Sequence, residues 1–180
     1  MLRGPNLWSR HTALEAIVTC DVTERSIDAI PQFETKIRER FPQLGSMRRG
    51  GLTDTLSLAN ALEHAALGLQ AQAGCPVTFS RTVQTIDEGV YQVVVEYIEE
   101  VVGRMAFDFA FALIQATLND APFDLAAALA ELEALYEDVR LGPSTGSIVD
   151  AALQRNIPYR RMTEGSMVQF GWGSKQKRIQ

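Results

Sequence analysis

The chain has 180 residues, 46% of them hydrophobic and 22% charged, enough apolar material to bury the core of one domain. Its formal net charge of −5 argues against nucleic acid or an anionic membrane surface as a partner. Two cysteines (Cys20, Cys75) and two histidines (His11, His64) exclude a disulfide scaffold and a four-cysteine zinc site.

In chain order, the opening Met1-Leu2-Arg3-Gly4-Pro5-Asn6 has no apolar signal core, so a cytoplasmic location is expected. Residues 14–20 (LEAIVTC) are short and β-rich and predict a strand. Residues 31–41 predict a short helix closed by Pro42. Arg48-Arg49-Gly50-Gly51 reads as a loop. Residues 53–73 predict the strongest helix: Leu58, Leu62, Ala65, Leu69 and Ala73 recur at three and four, and Gly74 stops it. Residues 77–85 and 90–97 are β-rich and joined by Asp87-Glu88-Gly89, which predicts a hairpin. Helices are predicted over 99–118, over 124–139 with Asp124 as N-cap, and from Pro143-Ser144 to about Asn156. A last β segment is predicted at 167–170. No run of 18 apolar residues occurs, and no bilayer span is expected. Strand, helices, hairpin and then helices do not alternate as a doubly wound sheet would. The expected class is α+β, with helices packed on a small, mostly antiparallel sheet.

Charge is split along the chain. Residues 155–180 hold six Lys/Arg against one acid, Glu164, whereas 1–154 hold 11 basic and 21 acidic residues. That split suggests an intramolecular match or the start of another module.

Catalytic spacing occurs once, in Asn60-Ala61-Leu62-Glu63-His64. Residues 60 and 64 lie one helical turn apart on one face, with Glu63 beside them. In the inverted zinc motif H-x-x-E-H, two histidines at this spacing hold the metal and the glutamate activates its water. Here the first histidine is an asparagine, whose amide oxygen is a poor zinc ligand. Read from residue types alone, the three form a polar helix face. Glu96, Glu99 and Glu100 are candidate third ligands, with a bland alternative as acids at a strand end and in the first turn of a helix. Gly142-Pro143-Ser144-Thr145-Gly146-Ser147 lacks the Gly-Lys-Ser/Thr ending of a phosphate loop and reads as a helix start capped by Ser144 or Thr145. Arg48 and Arg49 could hold carboxylates or form a solvated pair. Cys20 and Cys75 read as buried small hydrophobes. Trp8 and Trp172 read as core-edge packing or as recognition surfaces.

Several segments together resemble one family. They are Leu2-Arg3-Gly4-Pro5-Asn6-Leu7-Trp8-Ser9, Arg49-Gly50-Gly51, Glu63-His64-Ala65-Ala66-Leu67 and Ala73-Gly74-Cys75-Pro76-Val77. Glu88-Gly89-Val90-Tyr91-Gln92-Val93-Val94 with Glu96-Tyr97, Leu141-Gly142-Pro143-Ser144-Thr145, Asn156-Ile157-Pro158 and Lys177-Arg178-Ile179-Gln180 complete the set. In this order they resemble the cyanophycin synthetases, from the N-terminal domain into the first residues of an ATP-grasp module. The family's polymer, cyanophycin, has a poly-aspartate backbone with arginine on the side-chain carboxylates.

The resemblance implies an N-terminal domain over 1–160 and a junction over 161–180. An ATP-grasp and a Mur-ligase-like module would lie downstream, carrying the ATP and magnesium sites. A short β-rich segment would precede Leu2. It also implies a homo-oligomeric parent, cyanophycin polymer as partner, and no nucleic acid or membrane partner. Some members carry a full H-x-x-E-H and act as zinc hydrolases resembling the inverted-motif metallopeptidases. On that pattern Glu63 and His64 match, Asn60 departs, and zinc is not expected in this chain. A polymer-binding role is then the leading expectation, with Arg48, Arg49 and Glu99 as candidate contacts. A hydrolase with a substituted ligand set and a purely architectural domain are the alternatives.

Overall fold

The computed structural model describes residues 1–2, 6–7, 11–44, 47, 55–163 and 165–180. Arg48, Arg49 and Trp8, named above as candidates, lie outside them. The described chain forms two compact units, Met1–Tyr136 and Glu137–Gln180. The junction expected at 160–161 falls within the second.

The first unit is built on a three-stranded antiparallel sheet in the order β1-β3-β2. Strand β1 is Ala13–Thr19, β2 Ser80–Gln84 and β3 Val90–Glu96. β3 is central because it can be buried on both sides: Val93, Val94 and Val95 are all buried, a run with no polar interruption. Its registers put Leu14 opposite Val95 and Ser80 opposite the same residue. The hairpin turn needs a left-handed residue, and Gly89 supplies it at φ +78°.

Helix α1 (Phe33–Arg40) buries Phe33 and Ile37. Helix α2 (Leu58–Gln72) and helix α3 (Glu100–Leu118) pack against each other. α2 begins five residues later than the periodicity predicts. Ser57 and Asn60 form a capping box there, and a good cap decides the start more sharply than a hydrophobic pattern does. Among the described residues α3 is the helix long and apolar enough, by length and composition, to cross a membrane. Counting uninterrupted apolar runs misses it because Arg104 and Asp108 break the run. Its Val102, Ala106, Ala110 and Leu113 are buried, as in the core helix of a folded unit. Helix α4 (Leu125–Val139) starts as expected: the Ala127 N–H donates to Asp124 Oδ1 at 2.9 Å.

The second unit holds helix α5 (Pro143–Gln154) and another three-stranded antiparallel sheet, β4-β5-β6, where one sheet was expected. Its strands are Tyr159–Arg161, Val168–Phe170 and Lys177–Ile179. Three-residue strands carry too little alternation to read, so β4 and β6 were not predicted. The start of α5 also differs from expectation. Gly142 occupies the N-cap with Pro143 in the first turn, and neither Ser144 nor Thr145 caps it. Both cysteines are buried, as expected.

Gly103 lets α3 pack closely against Tyr97. A Cβ there would lie 2.7 Å from Tyr97 Cβ, the residue that leads from β3 towards α3. Gly103→Ala gains about 1 kcal/mol of helix propensity but overpacks this contact, at a cost of about 1–3 kcal/mol. We expect a lower midpoint in urea unfolding; an unchanged or raised midpoint would contradict the packing.

Candidate functional site

Asn60 sits at the start of α2, and its side chain is occupied there. Its Oδ1 accepts from the Ser57 N–H at 3.0 Å and from the Ser57 hydroxyl at 2.9 Å. The Ser57 Oγ in turn accepts the Asn60 N–H at 3.4 Å. The residue standing where a zinc motif has histidine therefore satisfies helix-end donors that would otherwise be orphaned. Glu63 is buried and His64 half-buried on the same helix. Among the described residues no three His, Cys, Asp or Glu side chains gather as a metal would require. With Asn60 committed to Ser57 and one imidazole on this helix, the donors do not fit a catalytic zinc, which normally takes three protein ligands.

The candidate third ligands are distributed differently. Glu96, the last residue of β3, is buried at 2% exposure. Its Oε2 accepts the N–H groups of Thr78 and Phe79, each at 2.8 Å. Its Oε1 lies 3.0 Å from Nδ1 of half-exposed His11. Glu100 opens α3 and is exposed, paired one turn on with Arg104, whose Nε and Nη2 reach it at 3.0 and 2.9 Å. Glu99 is the N-cap residue of α3 without a side-chain cap bond. It is close enough to Cys75 to help raise that thiol's pKa, although burial is the larger cause; together they push it up to about 11.

Two relations escaped the sequence. The His11–Glu96 pair joins residues 85 positions apart, and nothing in either neighbourhood announces it. Gln70, buried in α2, donates its Nε2 to the Glu96 backbone carbonyl at 2.9 Å, although periodicity gives only its apolar neighbours. The Ser57–Asn60 box also went unread, because asparagine stands where the usual capping signature has Glu or Gln.

Cys75 is accordingly a poor nucleophile, because the thiolate is the reactive form. Iodoacetamide at pH 8 should label it at least tenfold more slowly in the native chain than in 6 M guanidinium. Equal rates would contradict its burial. Asn60→Ala removes half of the capping box and should lower stability by about 0.5–1 kcal/mol in urea unfolding. No loss would mean that the cap is not formed.

The sequence matches the family described as Cyanophycin synthase-like N-terminal domain over residues 16–119. It is also similar to proteins named cyanophycin synthetase. The protein from Geminocystis herdmanii is 36% identical over 194 residues, covering 99% of this chain and 22% of the relative. Those from Crocosphaera subtropica and Synechocystis sp. are each 34% identical, with the same coverage. The chain thus spans about a fifth of the length of these curated relatives.

Proposed function

The chain belongs to the family of cyanophycin synthase-like N-terminal domains, and from that premise we propose that it binds and positions cyanophycin without cleaving it. The observation that carries this reading is the charge of the first unit, with 18 acidic against 10 basic residues. Cyanophycin presents rows of guanidinium groups, and carboxylates accept these in paired, charge-assisted hydrogen bonds. The engagement of Asn60 by Ser57 supports the non-cleaving half of the proposal. A water without a bound metal beside it keeps a pKa far above neutrality and is a weak nucleophile. On this reading the first unit is a lapsed relative of the inverted-motif metallopeptidase domains, with Glu63 and His64 as remnants.

The rest of the assignment is proposed on the same basis. Residues 161–180 lead into an ATP-grasp module, and a Mur-ligase-like module follows. ATP and magnesium act in those modules as the parent ligase extends the polymer. The parent works in the cytoplasm as a homo-oligomer, with neither nucleic acid nor membrane as partner.

Titration of the isolated chain with Asp–Arg oligomers tests the proposal. Affinity should rise with oligomer length, because weak contacts along a repeating chain add through avidity. It should fall as salt rises, since exposed ion pairs are screened over about 8 Å at physiological ionic strength. Longer oligomers binding no better than a single Asp–Arg unit would contradict the polymer reading. Purified protein should hold no stoichiometric zinc and leave the polymer intact. Cleavage by the wild type that Glu63→Gln abolishes would overturn the non-cleaving reading.

A further inference from the structure

In the first unit, described basic side chains commonly find a carboxylate. Arg25 pairs with Glu88, Lys36 with Asp120, Arg38 with Glu34 and Arg104 with Glu100. In the second unit, Arg155, Arg160, Lys175, Lys177 and Arg178 have no carboxylate partner among the described residues. Five such cations fall within 24 positions of a chain whose net charge is −5.

The sheet arranges two of them. Register places Arg160 opposite Gln169 and Gln169 opposite Arg178, so the three side chains form one row across a single face. Two strand spacings separate the arginines, roughly 10 Å between backbones. Gln169 is buried at 8% exposure, and its Oε1 accepts Arg178 Nε–H at 3.1 Å. That bond uses the Nε donor and orients the guanidinium, leaving its two terminal nitrogens as a fork for an oxyanion. Arg160 and Arg178 are both exposed, and the neighbouring Arg161 is used structurally, donating to the Val139 carbonyl.

We propose that the Arg160–Gln169–Arg178 face binds the free carboxylates of an extended Asp–Arg polymer. The inference rests on the polymer-binding reading and adds a second contact to it. An arginine joined to an aspartate side chain through its α-amino group keeps both its guanidinium and its own α-carboxylate. Each unit of the polymer is therefore zwitterionic, and an acidic surface alone answers only half of it. The acidic first unit suits the guanidinium groups; the arginine row suits the carboxylates, and its fork geometry favours a planar carboxylate.

The test is calorimetric titration of the whole chain with two oligomers of equal length, one with free arginine α-carboxylates and one with them amidated. Arg160→Gln and Arg178→Gln should each weaken binding of the free-carboxylate oligomer by roughly three- to tenfold, the range for exposed ion pairs. Binding of the amidated oligomer should be unchanged by either substitution. Lysine at both positions should restore part of the affinity, because charge is kept and the fork is lost. Gln169→Leu, which frees Arg178 without removing charge, should weaken the same oligomer less than Arg178→Gln does. Thermal unfolding of each variant verifies that the fold is retained. If the wild type binds both oligomers and the arginine variants change neither, or weaken both equally, the carboxylate face is wrong while the polymer reading stands. If the wild type binds neither, both fail.

Discussion

The first unit depends on a carboxylate buried at the end of its central strand. An unpaired charge in that position would cost several kcal/mol, so Glu96 requires partners, and two separate segments supply them. Thr78 and Phe79 donate their backbone N–H groups to one oxygen, and His11 meets the other. The backbone of the same residue accepts Gln70 from α2 and donates to the Phe79 carbonyl. Thr12 and Tyr97 then bond to each other immediately beyond. One residue thus fixes the N-terminal segment, the approach to β2, the central strand and the long helix that carries Glu63 and His64.

The elements with strong periodicity were legible. β1, α1, the β2–β3 hairpin, α3 and α4 lie close to where apolar spacing and turn residues put them, because each buries one stripe or one face. Legibility failed where the deciding contact was local but small, as at the Ser57 cap, and at the three-residue strands β4 and β6, whereas β5 lies where a β segment was expected at 167–170. The candidate site was legible as residue types and not as relations. Asn60, Glu63 and His64 share a helix as the spacing requires, whereas Glu96 is drawn into a clamp with His11 that no local pattern encodes. Cross-strand neighbours such as Arg160 and Arg178 became visible only once β4, β5 and β6 were in register.

Asn60 serves stability where it stands, closing the start of α2 through its capping box with Ser57. The charge split runs partly with the division into units: Met1–Tyr136 holds 18 acidic and 10 basic residues, and Glu137–Gln180 holds four acidic and seven basic ones.

The most direct measurement of this account is an NMR titration of the 15N-labelled chain with an Asp–Arg oligomer of several units. The account predicts that amide shifts concentrate in β4–β6, around Arg160, Gln169 and Arg178, and at acidic surface positions of the first unit, while residues 60–64 stay where they are and the oligomer remains intact. Shifts centred on Glu63 and His64, with shorter oligomers accumulating in the tube, would contradict it.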